Sequence, residues 1–381
     1  MMHALSGFSC LIPDTVVNVF EGKARLVFSV MVVGLLKLIG SLFIYQRLSI
    51  SGGLSPPWMG VWGSSGPTQP WLYLFSAQDT GWYIAIAKGG YTYPMYVFFP
   101  AYPTLCMAIG LIAGDYWLSA FIVSSVLGLA SVPLIQLVAE YYMPKAEAAA
   151  SALLTATFPY IFLFTTVSYT ESLFLFATLA TWYFHMRGRL ISSMLAAATA
   201  TLTKTYGVTI IIPIAIDLLL KRKFKQLLPL FVPITALLGW MYYLHLRTGD
   251  AFAFATQQSY WMKLGFEFGW FHRYITPILS SSDWVIPKFD YVLVAFVIFF
   301  GYLVFSVFQI DVKLGVYSLS LYLLLLFFGN FSSLPRFFSF IFPVWFAART
   351  RNLFALAAAV TFFVLMSLLI WYQFILKEWI A

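Results

Sequence analysis

The sequence predicts an all-α polytopic membrane protein, a bundle of about eleven transmembrane helices, on three observations. Of its 381 residues, 61% are hydrophobic and only 9% charged, against about 25% charged in an ordinary soluble domain. Water is therefore not its main solvent. Apolar stretches long enough to cross a bilayer, about 20 residues each, recur from Leu26 to Leu376. They leave no room for a sizeable soluble domain, so residues 1–381 read as one membrane domain. Trp and Tyr, part of an aromatic content of 20%, cluster near the predicted segment ends, where amphipathic rings suit the headgroup layer.

Apolar runs set against breakers and charges place spans near residues 24–46, 118–139, 148–167, 170–186, 190–204, 207–220, 226–246, 291–309, 313–329, 336–348 and 353–375. Several are short, notably around 190–220 and 336–348. Short spans suggest broken or half-crossing helices that line a polar cavity. The stretch Met1–Glu21 has neither a basic region before its apolar run nor a small-residue cleavage site, so the first true span is expected to stay as its own anchor.

Basic residues in short loops orient such a bundle. Lys23, Arg25, Lys145, Arg187, Arg189, the run Lys221, Arg222, Lys223 and Lys225, Lys313, Arg349 and Arg351 all fall inside together on one condition. The segment Phe98–Gly114 must not cross; it lies as an amphipathic helix along the outer face or dips in and returns. Pro100, Pro103 and the pair Gly114–Asp115 favour that course. Two long loops then face outward, about 47–114 and about 247–290, with short outer turns at Ser168–Glu171, Thr203–Gly207 and Asn330–Arg336. The inner loops carry little besides orienting charge. A net charge of +8 spread over such loops argues against nucleic acid as partner. Cys10 and Cys106 form no ligand spacing, the histidines (His185, His245 and His272 among them) show no metal-ligand spacing with one another, and no metal motif is visible.

The unusual polar residues gather in the outer segments. Asp79, in Gln78-Asp79-Thr80-Gly81-Trp82-Tyr83, is the only acid between Glu21 and Asp115. An acid held among aromatics at a membrane face is costly unless it has work or a partner. It could equally cap the helix starting near Thr80. Glu171, in Ser168-Tyr169-Thr170-Glu171-Ser172-Leu173-Phe174, stands alone between Glu147 and Arg187, either as a functional carboxylate or as an acid favoured at a helix start. Lys204 and Arg336 begin or end short apolar helices. Both suit an anionic lipid phosphate at the mouth of a cavity, and both would also suit snorkelling to headgroups.

Those blocks carry a family resemblance. Asp79–Pro103, with its Ile84-Ala85, Gly90-Tyr91 and Phe98-Phe99-Pro100 elements, followed by Ser168–Phe174, resembles the PIG-V family, the second mannosyltransferase of glycosylphosphatidylinositol (GPI) assembly, and its prokaryotic relatives. Thr203–Gly207, Gln258-Ser259-Tyr260-Trp261 with Gly265-Phe266, and Arg336-Phe337 with Ser339 and Pro343 are similar to later blocks of that family. Gln78 stands where the family usually has Trp, and Lys204 where Arg is common. The chain is compact, as in an archaeal or bacterial relative.

The resemblance implies a GT-C bundle with amphipathic helices in the first outer loop. It implies an inverting glycosyltransferase that moves mannose from a polyprenyl (dolichyl) phosphate donor to a glycolipid or GPI-like acceptor, without nucleotide or other cofactor. It would sit in the cell membrane of a prokaryote or the endoplasmic reticulum of a eukaryote. Asp79 is then the expected general base and Glu171 a catalytic partner that orients acceptor or sugar. Arg336 and Lys204 would hold the donor phosphate, and Trp82, Tyr83, Tyr169, Tyr260 and Trp261 would contact substrate. A lipid or solute transporter or flippase is the rival, since broken helices and isolated membrane charges fit that class too.

Overall fold

The computed structural model describes residues 24–51, 66–67, 69–260, 288–328 and 333–376, which form helices and turns with no strand among them. Trp261, His272 and Cys10 lie outside the described residues. In lipid, every backbone polar group must find its partner within the protein, and a helix does this inside one segment. In chain order the helices are α1 (Ala24–Ser51), α2 (Thr80–Gly89), α3 (Ala101–Ala113), α4 (Tyr116–Ala139) and α5 (Lys145–Thr157). Next come α6 (Pro159–Phe164), α7 (Glu171–Met186), α8 (Leu190–Thr203), α9 (Ile211–Leu220) and α10 (Phe231–Thr248). The last are α11 (Lys288–Val307), α12 (Val312–Phe328), α13 (Leu334–Ser339) and α14 (Leu353–Ile375).

Four of the described stretches are long and apolar enough to cross a membrane: α1, α4, Phe224–Thr248 and α14. Their outward faces are apolar, with Met31, Leu38 and Leu42 on α1 and Phe354, Phe362 and Leu369 on α14 exposed. Lipid is the solvent that such a surface fits. Among the short helices, α5, α6 and α13 lie within. The whole of α5 from Glu147 to Thr157 is buried, and its alanines let neighbouring backbones approach closely.

The bundle interrupts its helices where the sequence reading runs them straight. The expected span 148–167 divides at Phe158, whose ψ of 135° is extended, before Pro159 opens α6. Proline disfavours a helical residue before it and cannot continue the hydrogen-bond ladder. The expected span 336–348 is no single helix; α13 and a one-turn helix, Val344–Ala347, share it. Nor is α2 an amphipathic surface helix, since Thr80–Ile84, Ile86 and Ala87 are all buried.

The segment Phe98–Gly114 turns back. Tyr102, early in α3, donates from its hydroxyl to the Ala120 carbonyl at 3.1 Å, Ser119 Oγ donates to the Cys106 carbonyl, and Gly110 packs on Tyr116. Thus α3 runs antiparallel along the first turns of α4. Its corner is Gly114, left-handed at φ 73°, followed by Asp115, whose carboxylate caps α4 by accepting from Trp117 N and Leu118 N. Glycine takes the left-handed conformation without a Cβ clash, and a capping Asp satisfies helix-start donors.

With that corner the charges sort themselves. Arg25 bonds Glu140 at 2.6 Å, Arg349 and Arg351 pair with Glu147, and Lys221 and Lys313 pair with Asp217. Ties between neighbouring helix ends, such as Trp182 Nε1 to Tyr142 Oη, put these groups at one end of the bundle, the end that the orientation rule expects inside. The inner loops are thus more than carriers of orienting charge: each of these acids answers a cation. Asp79, Glu171, Lys204 and Arg336 lie at the other end.

Candidate functional site

Glu171 is the centre of the polar end. It opens α7 and is 1% exposed. Its Oε1 accepts from Lys204 Nζ at 3.1 Å and stands 3.6 Å from Arg336 Nε, while Thr170 Oγ1 donates to its Oε2. One carboxylate therefore faces two cations in a nearly dry setting. Arg336 Nε makes no hydrogen bond. The guanidinium instead lies among rings, 4.9 Å from the centroid of Phe164, 4.6 Å from Phe337 and 6.0 Å from Tyr169, where cation–π attraction substitutes in part for lost water. Neither cation snorkels: the side chains of Lys204 and Arg336 are 15% and 8% exposed.

Local sequence explains each placement. Lys204 ends α8 in extended conformation, and the chain folds back at once, with Gly207 N donating to the Lys204 carbonyl at 2.8 Å. A Cβ on Gly207 would stand 2.4 Å from the Ala200 backbone, so only glycine permits this turn. Arg336 follows Pro335 at the start of α13, where proline is suited to the first helical turn.

The non-helical link Thr165–Thr170 is buried throughout, so its backbone groups need internal partners. Ser168 N donates to the Phe75 carbonyl, Thr80 Oγ1 to the Ser168 carbonyl, and Ser124 Oγ both accepts from Tyr169 N and donates to Tyr169 O. Lys37, buried in α1, donates from Nζ to Thr165 O and Thr165 Oγ1, each at 2.8 Å. The link is thereby fixed from α1, α2 and α4 at once. Gly128 lets α4 approach it, since a Cβ there would meet Thr165 O at 2.3 Å.

Asp79 meets this link from the start of α2. Its backbone N–H donates to Tyr169 Oη at 2.9 Å, and Gln78 before it takes the left-handed region at φ 51°, an uncommon conformation for a residue with a Cβ. The carboxylate caps nothing: it makes no side-chain bond to the start of α2 and closes no hydrogen bond or ion pair among the described residues. The capping alternative is thereby removed. Burial raises its carboxyl pKa above the ordinary value, Arg336 opposes that rise, Glu171 adds to it and Lys204 opposes it. A raised carboxyl within electrostatic reach of two cations is a competent proton acceptor next to a competent anion site.

No protein-family model matches the chain, and no curated protein matches it. Among solved structures, the crystal structure of ArnT from Cupriavidus metallidurans in the apo state aligns with it over 72% of this chain and 53% of that chain, at 13% identity and a TM-score of 0.45. The chain spans about half the length of that protein. A likeness this loose assigns no family.

The four charged candidates thus converge, and the aromatic ones only in part. Tyr83 and Tyr169 meet edge to face at 5.8 Å, and Trp82 stacks on Phe98; at 4%, 1% and 6% exposure these rings are walls rather than open stacking platforms. Tyr260 is exposed and its ring meets that of Tyr93 at 5.9 Å. Lys37 escapes the sequence reading although a charge inside a span is a signal by itself; Ser124 offers no signal, being one hydroxyl among many. Among the described residues no group of three or more His, Cys, Asp and Glu side chains is disposed to hold a metal ion.

Proposed function

We propose that the chain is a membrane-embedded inverting glycosyltransferase that uses a polyprenyl-phosphate sugar. The observation that carries this reading is a carboxylate that caps nothing, Asp79, within electrostatic reach of two largely desolvated cations, Lys204 and Arg336, that both lean on Glu171. A hydroxyl oxygen of the acceptor attacks the anomeric carbon, its proton passes to Asp79, and the bond from that carbon to the phosphate oxygen breaks with its electron pair on the phosphate. The phosphate gains charge as the bond breaks, so cations preorganised in a dry site stabilise the transition state more than the ground state. Glu171 holds both cations in place; its burial makes this role fit better than contact with a sugar. Mannose as the sugar, a dolichyl-type carrier and a GPI-like acceptor come from the sequence resemblance to the PIG-V family.

One observation favours a transporter as the second reading: charged clusters close both ends of α7, Glu171 at one and His185 with Asp217 at the other. Membranes carrying the chain, incubated with labelled polyprenyl-phosphate mannose, separate the two. Appearance of label in a new glycolipid supports the enzyme. Movement of intact labelled lipid between leaflets without transfer supports the transporter.

A further inference from the structure

A cavity of about 400 Å³ opens at the inner end, between the end of α7 and the end of α9. Fourteen residues of α7, at about 1.5 Å each, separate His185 in its wall from Glu171, so it lies roughly 21 Å from the site above. Lys221, Lys223 and Lys313 line it, with His185, Asp217 and Tyr142. Asp217 is 6% exposed; its Oδ2 accepts from Lys221 Nζ at 2.8 Å and stands 3.5 Å from His185 Nε2, and its Oδ1 accepts from Lys313 Nζ at 3.2 Å. The other lining acid, Asp311, turns its Oδ1 to the backbone N–H groups of Lys313 and Leu314 as the cap of α12. Three lysines thus face two carboxylates, both already engaged.

The rest of the wall also offers donors. Tyr142 Oη accepts from Trp182 Nε1 at 2.8 Å, while its own proton points to the Met186 sulfur at 3.5 Å, a weak acceptor that a better one displaces. On the rim, Leu190 opens α8 and Gly188 lies in the turn before it, and α8 has no side-chain cap. The positive end of a helix adds to the lysines' attraction for an anion. The volume is at the low end for ligand pockets, about 300–1,000 Å³, and exceeds what a lone oxyanion fills.

We propose that this cavity binds a phosphate-bearing anion, held by Lys221, Lys223 and Lys313 with Tyr142 as a further donor. The phosphate is either the headgroup of an anionic lipid of the inner leaflet or a soluble phosphate. The proposal does not depend on the reaction at the other end.

Equilibrium binding of radiolabelled inorganic phosphate and of radiolabelled dihexanoyl phosphatidic acid to the full chain in non-ionic detergent tests it. Lys221 and Lys223 are exposed, so the double variant K221Q/K223Q is expected to fold, with Lys313 still holding Asp217. It should bind one equivalent fewer, or bind that equivalent about tenfold or more weakly for each charge-assisted hydrogen bond lost. The exposed Lys225 lies outside the cavity wall, and K225Q should bind as the wild type does. Loss of the lipid equivalent alone identifies a headgroup site, and loss of both ligands identifies a site that accepts free phosphate. Equal stoichiometry and affinity in wild type and K221Q/K223Q, or binding of neither ligand to the wild type, overturns the proposal.

Discussion

Glu171→Gln keeps the shape of the side chain and removes its charge, and the consequence follows from two distances. Lys204 Nζ and Arg336 Nε stand 3.1 and 3.6 Å from the same oxygen, with Glu171 and Arg336 buried and Lys204 mostly so. Breaking a buried ion pair by removing one partner costs about 3–5 kcal/mol, because the other charge stays buried and uncompensated. Here two cations are left with Asp79 the remaining carboxylate in electrostatic reach among the described residues, so a loss within that range, about 3–5 kcal/mol, is expected, more than a hundredfold in the unfolding equilibrium at about 1.4 kcal/mol per tenfold. If the cations form a phosphate site, an anion replaces the missing carboxylate. A short-chain polyprenyl phosphate at about 100 times its Kd returns roughly 2.7 kcal/mol. The assay is denaturant unfolding of purified wild type and variant in detergent, with and without that lipid phosphate. The predicted result is a strongly destabilised variant that gains more from the ligand than the wild type does. Any binding at the inner cavity adds equally to both and cancels. A variant as stable as the wild type, or one that gains no more from the ligand, refutes the reasoning.

Arg336→Lys should raise the donor KM, lower kcat or both by at least about tenfold, because a point charge cannot reproduce a planar fork on phosphate; unchanged donor kinetics would leave Lys204 as the better candidate. Gly128→Ala drives a Cβ to 2.3 Å from Thr165 O. We expect a loss of about 1–3 kcal/mol from overpacking together with reduced turnover, and a variant with both unaffected would show that the link need not be held there. For Asp79 the folded-state carboxyl is raised, so the folded chain binds its proton more readily than the unfolded chain, and this group's contribution to stability falls as pH rises through the raised value. Asp79→Asn should therefore be more stable than wild type at neutral pH, and the acid limb of the wild-type kcat/KM profile should lie above the ordinary carboxylate range. A limb at the ordinary value would remove the base from the account. For topology, Thr92 and Gln226 are exposed reporter positions. Cysteine at Thr92 should label with an impermeant reagent from outside and cysteine at Gln226 should not; the reverse pattern would invert the bundle.

Much of the polar site is visible in the sequence because charge is so rare there. Asp79 and Glu171 stand alone over long apolar stretches, and the orientation rule puts them with Lys204 and Arg336 on one face. What stays hidden is pairing. Lys204 reaches Glu171 across 33 positions, and nothing in either neighbourhood says that one carboxylate serves both cations. Lys37 is hidden for a similar reason: its partners are the carbonyl and the hydroxyl of Thr165, 128 positions away, and one threonine among many marks nothing. The break at Phe158 is marked by Pro159, but uniform hydropathy on both sides lets an apolar reading run through it. The inner cavity is the reverse case. Lys221 and Lys313 are conspicuous, yet as orienting charge they are explained before Asp217 draws them together.

The central claim is that Asp79 takes the proton of a hydroxyl that attacks a sugar held through its phosphate. Its most direct test is single-turnover transfer from labelled polyprenyl-phosphate mannose, comparing wild type with Asp79→Asn at matched folded concentration. Wild type should transfer the sugar, and the variant should do so about 10²- to 10⁴-fold more slowly, the range that a positioned general base supplies. Wild-type rates in Asp79→Asn would contradict it.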